Sequence, residues 1–213
     1  MKSLLLILTL GGLSITSANA QNAEKRNVGT YDGIHIAGSY EVTLISGSEG
    51  TLLLKGDSDD LEKIDTDVKK DILIIKQKEK SWFGSWDSGK VHITIPVEDI
   101  NKVVLSGSGE IFADFPLEGN HFKTFLSGSG EINLNLDVTA VNGTVRGSGD
   151  ITLTRKASKV NFNITGSGDI EADGIKADTA EARVTGSGDI VCKGNPRKQK
   201  TKVTGSGEII VQN

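Results

Sequence analysis

Apolar and polar residues alternate on both sides of a glycine-rich tripeptide that recurs in the second half of the chain. After one copy, Ile132 and Leu134 are apolar while Asn133 between them is polar. Alternation with a period of two is typical of β-strands that bury one face. The pattern predicts a strand that enters a corner at the tripeptide and a strand that leaves it. A second corner is expected between copies, so each copy would hold two strands of about five residues.

The alternation assigns the same inward positions to every copy. We expect these side chains to form one continuous core, because stacked repeats place equivalent residues above one another. The inward pairs after the tripeptide are Ile111/Ala113, Ile132/Leu134, Ile151/Leu153, Ile170/Ala172, Ile190/Cys192 and Ile209/Val211, and those before it are Val103/Leu105, Thr124/Leu126, Gly143/Val145, Phe162/Ile164, Ala182/Val184 and Thr201/Val203.

The recurring unit is Gly-Ser-Gly followed by an acid and isoleucine. It occurs six times, with steps of 21, 19, 19, 20 and 19 residues between first glycines. This spacing is typical of solenoids. Glycine suits a tight corner because it adopts positive φ without a Cβ clash and lets backbones approach closely. The glycines predicted to form structural turns are Gly107, Gly109, Gly128, Gly130, Gly147, Gly149, Gly166, Gly168, Gly186, Gly188, Gly205 and Gly207.

Two all-β architectures fit this repeat. In a parallel β-helix each repeat is one coil of about 20 residues, whereas in an antiparallel meander each repeat is a hairpin. We favour a right-handed parallel β-helix, because a parallel stack places the same corner above itself in every coil. The regular coils are predicted over 101–213, after an irregular β-rich part over 21–100. Within that part, the segment 38–42 (Gly-Ser-Tyr-Glu-Val) resembles a degenerate copy of the repeat.

The first twenty residues have the features of a cleaved signal peptide. A basic residue, Lys2, precedes an apolar stretch over 4–13, and Ala18-Asn19-Ala20 forms a small-x-small cleavage site. We expect cleavage after Ala20 and export to the periplasm, the cell surface or the medium. No later stretch is apolar enough for a transmembrane helix.

The composition of the chain excludes some classes of binding partner. Without Lys2, 23 basic residues stand against 28 acidic ones, which gives a net charge of −5 for the mature chain. This mild acidity argues against nucleic acid and anionic membrane surfaces as partners. The single cysteine, Cys192, cannot form an intrachain disulfide and is predicted to be a small buried residue.

The acid of each repeat has three interpretations. The carboxylates can accept backbone N–H groups of their own corners, which is a structural role. They can instead form a ladder that binds Ca²⁺, although a calcium site needs six or more oxygens. In a carbohydrate-active enzyme, two of them would act as acid and base. Identical environments argue against catalysis, because acid and base need different pKa values. The acids are Glu110, Glu131, Asp150, Asp169, Asp189 and Glu208.

Both tryptophans lie outside the repeats, in a stretch with the composition of a turn. Trp82, Phe83 and Trp86 are candidates for binding a sugar ring or a protein, since tryptophan is enriched at binding hot spots. The alternative is a long hairpin loop whose aromatic residues fold back over the sheet. The three histidines have no spacing that suggests a metal site or a catalytic triad.

The last strand, at 209–211, has no later coil to cover it. It is therefore a candidate edge for self-association with another chain.

The tandem Gly-Ser-Gly-Asp/Glu-Ile array behind a signal peptide resembles the head GIN domain family over 28–213. The resemblance implies a β-helical protein of the cell envelope or exterior, common in Bacteroidetes, with an adhesive role and no established catalytic residues. The function expected first is therefore non-enzymatic binding of a glycan or protein at a cell surface. A carbohydrate-active β-helix enzyme and a structural, self-associating envelope component are the alternatives.

Overall fold

The computed structural model describes residues 22–78, 90–172, 175, 177–194 and 196–212, and β-strands account for most of them. One short helix, α1 (Ser58–Glu62), follows the fourth strand. The described strands are β1 (Asn22–Gly29), β2 (Gly33–Ala37), β3 (Glu41–Ser46), β4 (Gly50–Gly56), β5 (Ile64–Lys69), β6 (Ile72–Gln77), β7 (His92–Val97), β8 (Lys102–Gly107), β9 (Glu110–Gly128), β10 (Glu131–Gly147), β11 (Asp150–Gly166), β12 (Ile170–Ala172), β13 (Thr179–Gly186), β14 (Ile190–Lys193), β15 (Lys198–Gly205) and β16 (Ile209–Gln212).

Successive repeats pair in parallel and in register. In β10 and β11, Ile132 lies beside Ile151 and Gly147 beside Gly166, so each motif residue stacks on its equivalent. The same parallel pairing joins β11 to β13 and β13 to β15. This confirms a β-solenoid of about five turns with coils of about 20 residues. The antiparallel meander is wrong for the repeats, and the right-handed winding stays a prediction.

Three coils bend without breaking their strands. β9, β10 and β11 run for 19, 17 and 17 residues, so two short strands per repeat is wrong for these coils. The reason is that parallel pairing continues through the mid-repeat bend, from Glu131 to Gly147 on β10. Buried Leu136, Val138 and Val141 line the inside of this bend.

The register accounts for the longest step of the repeat. Between β9 and β10, Leu134 lies beside Ala113 but Asn135 lies beside Pro116. Asp114 and Phe115 are therefore the two additional residues of the 21-residue repeat. The ladder accommodates them as a local bulge without moving the next corner.

The corner glycines stack so closely that no side chain fits. The first glycine of each motif has positive φ, from +126° to +138°. A Cβ on either glycine would lie 2.0 to 2.4 Å from a backbone oxygen of the preceding corner. Both glycines are thus required by contact, and the first is required by its backbone conformation as well. The twelve glycines predicted to form turns all lie at these stacked corners.

The N-terminal half continues the same stack. β2 pairs in parallel with β8, and β3 with β9, so Val42 lies beside Ile111. A Cβ on Gly107 would lie 2.3 Å from the carbonyl oxygen of Gly38. Tyr40 takes the place of the second glycine, and Gly109 stacks on its backbone. The degenerate copy at 38–42 is therefore confirmed as a corner of the solenoid.

The chain does not build the N-terminal coils in sequence order. The coil formed by β2 and β3 lies between β6 and β7 on one side and β8 and β9 on the other. β4 and β5 then pair antiparallel with β7 and β6, and β1 pairs antiparallel with β4. The N-terminal end of the stack thus finishes in antiparallel strands.

The predicted inward residues form the core. All pairs from Val103/Leu105 to Ile190/Cys192 are buried, and Gly143 is buried as well although it has no side chain. The last coil is different, because no described coil covers it. Ile209 and Val211 are only partly buried, and Val203 is 41% exposed.

Candidate functional site

One outward face of the stacked sheet contains a depression of about 610 Å³. We call it the outer groove. It lies across β6, β2, β8 and the second halves of β9 and β10. Its lining residues are His35, Lys69, Lys70, Ile72, Ile74, Lys102, Val104, Lys123, Thr124, Phe125, Asn142 and Thr144.

The floor of the outer groove is a row of mostly apolar side chains. The parallel register places Ile74 beside His35, His35 beside Val104, and Val104 beside Phe125. All four are partly buried although they lie on the outward face. We call them the apolar row. Such a row on an open sheet face is unusual, since outward positions of a half-buried sheet are normally polar.

Basic side chains border the apolar row. Lys102 and Lys123 are neighbours on β8 and β9, and neither forms an ion pair with another described residue. Arg146 lies over the Phe125 ring at 5.4 Å from its centroid, within the range of a cation–π contact. Lys69 pairs with Asp67 at 2.8 Å. None of the described residues that line the groove is acidic.

His35 belongs to the floor more than to the charged border. Its Nε2 lies 3.1 Å from Ser106 Oγ, so these two atoms hydrogen-bond each other. Burial lowers the pKa of His35, and the nearby Lys102 lowers it further. The imidazole is therefore neutral at pH 7, and the positive charge of the groove belongs to lysine and arginine.

The acids of the repeat lie at a different place, along the stacked corners. Asp150 Oδ1 accepts the backbone N–H of Asp169 at 2.8 Å, and Asp169 Oδ1 accepts that of Asp189 at 2.7 Å. Asp189 Oδ1 accepts that of Glu208 at 2.7 Å. The structural interpretation expected each carboxylate to bond its own corner. That detail is wrong, because the bonds join successive coils.

The choice between aspartate and glutamate decides which acceptor is used. Where the preceding acid is Glu131, the N–H of Asp150 bonds the carbonyl oxygen of Gly130 instead, at 3.1 Å. The N–H of Glu131 likewise bonds the carbonyl of Gly109. The shorter aspartate side chain reaches the next coil's N–H, and the strands that follow these corners start at isoleucine rather than at the acid.

Replacing Asp169 by alanine is expected to destabilise the protein by about 1 kcal/mol, because the N–H of Asp189 loses its acceptor. Asp169→Asn retains an oxygen at the same position and removes one like charge from the row. Its free energy of unfolding in urea should stay within about 0.5 kcal/mol of the wild-type value. Equal losses in the two variants would contradict the bond between coils.

The described residues contain no group of three or more His, Cys, Asp or Glu side chains that could hold a metal ion. Asp150, Asp169 and Asp189 each use one carboxylate oxygen for a backbone N–H. The geometry of the described corners therefore gives a Ca²⁺ ladder no support.

Comparison with known proteins places the chain in a family. A family model described as putative auto-transporter adhesin, head GIN domain, matches residues 30–213. The chain belongs to this family. No curated protein matches it.

Several solved structures resemble this head GIN domain. A putative adhesin from Bacteroides fragilis has a TM-score of 0.80 at 21% identity, with 92% of this chain and 98% of the other covered. A putative lipid binding protein from Parabacteroides distasonis has a TM-score of 0.66 at 20% identity, with 92% and 97% covered. A putative adhesin from the same species has a TM-score of 0.59 at 19% identity, with 91% and 97% covered. At these identities the likeness shows the fold alone.

The candidate aromatic residues of this head GIN domain, Trp82, Phe83 and Trp86, lie outside the described residues. The strands on either side of them are described: β6 ends at Gln77 and β7 begins at His92. These strands pair with β2 and β3, which the corner at 38–40 connects. The aromatic segment thus joins two strands that in the next coil are joined by a tight corner.

The remaining candidates have structural surroundings. Cys192 is buried, and burial raises the pKa of its thiol to about 11, so it is an inert core residue. His92 contacts Glu41 at 2.8 Å, and His121 is exposed. No helix among the described residues has the length and apolar character needed to cross a membrane.

Sequence reasoning did not find the outer groove. A signal was present, because Ile72 to Ile75 and Val103 to Leu105 are apolar without interruption. Phe125 likewise stands between inward Thr124 and Leu126. In a sheet with one solvated face, an apolar residue at the outward position indicates a surface that something covers.

Proposed function

We propose that this head GIN domain is a non-enzymatic, exported surface-binding module of the adhesin type, and that the outer groove holds its partner. The observation that carries the proposal is the apolar row beside Lys102 and Lys123, on a chain whose net charge is −4. Contiguous apolar side chains on an open face are typical of binding sites. The basic border selects an anionic partner or an anionic patch of one.

The arrangement of the acids supports a binding role over catalysis. Asp150, Asp169 and Asp189 occupy equivalent corners and make equivalent backbone bonds. A pair of catalytic carboxylates needs two different environments, one of which keeps its proton. Repeated, identical bonding is what a scaffold requires.

The test compares binding of the labelled protein and its variants to bacterial and epithelial cell surfaces. In the groove variant, Val104→Asp and Phe125→Asp place charges on the apolar row. Its binding should fall by about tenfold or more, because two apolar contacts of the row become charges that the bound partner would have to cover. The control is Phe112→Asp on the same strand, where the phenylalanine is 48% exposed outside the groove. Control binding should equal that of the wild type.

A third variant, Trp82→Ala with Trp86→Ala, tests the aromatic segment. If this variant loses binding while the groove variant keeps it, the partner binds at the aromatic segment and the assignment to the groove is wrong. Thermal unfolding of each variant separates lost binding from lost folding.

Two further parts of the proposal concern the intact protein. Self-association through the exposed last coil predicts a sedimentation coefficient that rises with protein concentration, and a constant monomer value would contradict it. Export with cleavage after Ala20 predicts a mature N-terminus at Gln21, which mass spectrometry of the exported protein can check.

A further inference from the structure

We propose that the outer groove binds a single-chain fatty carboxylate, with its acyl chain along the apolar row and its carboxylate at Lys102 and Lys123. This inference rests on the proposed function, because it names the chemical class that the same groove recognises. It is carried by the length of the row, by the chemistry of its floor and by the position of the charges.

The apolar row has the shape of an extended chain. It crosses β6, β2, β8 and β9 at right angles to the strands, which is three strand spacings or about 14 Å. Ile72 lies beside the row and lines the same depression. An acyl chain is a flexible apolar rod that can lie along such a row and cover its C–H surface.

The apolar row offers few polar atoms to a ligand. His35 Nε2 and Ser106 Oγ bond each other at 3.1 Å, and the other three members of the row have no polar side-chain atom. A sugar ring lying on the row would bring several hydroxyl groups to side chains with few hydrogen-bonding atoms, and each hydroxyl left without a partner costs free energy. The floor therefore favours an acyl chain over a glycan.

The charges fit one carboxylate better than a polyanion. Lys102 and Lys123 lie beside each other on paired strands, which are about 4.8 Å apart. Each lysine precedes a member of the apolar row by two residues, Lys102 before Val104 and Lys123 before Phe125. Beyond these lysines, Asp99 and Glu118 line a second depression of about 540 Å³. A polyanion that extended past the lysines would meet these acids, whereas one head group would stop at the lysines.

The experiment titrates the full mature chain with laurate below its micelle concentration, by isothermal calorimetry. We expect saturable one-to-one binding that strengthens about two- to fourfold for each methylene added to the chain. The methyl ester of laurate, which has no charge, should bind about tenfold more weakly. The same loss is expected when Lys102→Gln and Lys123→Gln are combined, and when Val104→Ala and Phe125→Ala are combined.

Matched controls leave the groove intact. Lys200→Gln with Lys202→Gln removes two lysines from β15 at the end of the same sheet, and Phe112→Ala removes an exposed phenylalanine from β9. Both should bind laurate as the wild type does. Equal losses in these controls would overturn the proposal, because binding would then follow bulk charge or general surface hydrophobicity.

Two other probes test whether the groove binds a different class of ligand. Binding to vesicles containing phosphatidylglycerol without binding to laurate would indicate a membrane surface and overturn the proposal. Binding to alginate without laurate would indicate an acidic glycan and overturn it as well. In either case, loss of cell-surface binding in the Val104→Asp/Phe125→Asp variant would leave the proposed function standing. Laurate binding without any effect of that variant on cells would instead overturn the role of the groove in adhesion.

Discussion

Alanine at Gly168 is expected to destabilise the protein by about 3 kcal/mol or more, although the change adds only one methyl group. The new Cβ would lie 2.0 Å from the carbonyl oxygen of Gly149 and 2.9 Å from its backbone nitrogen. The obstacle is backbone that is itself held in the ladder, so no side-chain rotation relieves it. The measurement is the free energy of unfolding in urea, with the slope m checked for constancy.

Two other glycines separate the causes of this loss. Gly119→Ala is the matched control, because a Cβ there meets nothing within 4 Å and φ is ordinary. It should be neutral or slightly stabilising, within about 0.5 kcal/mol. Gly29→Ala isolates the backbone conformation, since φ is +89° and the space around it is empty. It should cost about 1 kcal/mol.

The order of the three effects is the decisive result. If Gly168→Ala costs no more than Gly29→Ala, the coils can separate at the corner, and close stacking is not what requires glycine there. A loss at Gly168 that is several times larger supports the contact explanation.

The corners and the core of this fold could be predicted from sequence, because each depends on local pattern. A glycine pair at constant spacing marks the corner, and alternation on either side marks residues such as Ile151 and Leu153 as inward. The order of the N-terminal coils could not be predicted. β6 and β7 pair with one edge of the coil formed by β2 and β3, and β8 and β9 pair with its other edge. No local signal in the sequence shows which pair of strands takes which edge.

The outer groove was harder to predict because its residues come from distant strands. Ile74, His35, Val104 and Phe125 share one row only after the register of four strands is known. Each strand alone shows only one or two outward apolar residues of the groove or, in β2, a histidine, which is common on protein surfaces and needs no explanation. The acids of the repeat could be located from the sequence, because they recur at regular spacing. Their bonds to the next coil could not be predicted, because these bonds depend on how the coils stack.

Replacing Phe162 by alanine is expected to destabilise the protein by about 3 to 5 kcal/mol, because the buried ring leaves a cavity. The ring fills the space beside Gly143 in the preceding coil. A Cβ on Gly143 would lie 2.9 Å from Cδ1 of Phe162 and 3.6 Å from Cγ2 of Thr124. Gly143→Ala alone should therefore cost about 1 to 2 kcal/mol through overpacking.

In the Phe162→Ala background, Gly143→Ala should stabilise the protein instead of destabilising it. With the ring removed, the methyl group of Gly143→Ala enters the cavity and should restore about 1 kcal/mol. The coupling energy in the double-mutant cycle is then about 2 to 3 kcal/mol. If the alanine background does not fold, Phe162→Leu provides a smaller side chain with a smaller loss, and the same reversal is expected in reduced form.

Gly119→Ala in the Phe162→Ala background is the control for this cycle, since the exposed glycine makes no contact that the ring could affect. Its effect should be the same in both backgrounds. Additive behaviour of Gly143→Ala as well would mean that neighbouring coils relax independently. If only Gly143→Ala is coupled to Phe162→Ala, a large inward side chain in one coil limits the size of the side chain at the equivalent position of the adjacent coil. That rule would explain why Thr124, Gly143 and Phe162 follow one another at equivalent positions of successive coils, where isoleucine or leucine could otherwise repeat.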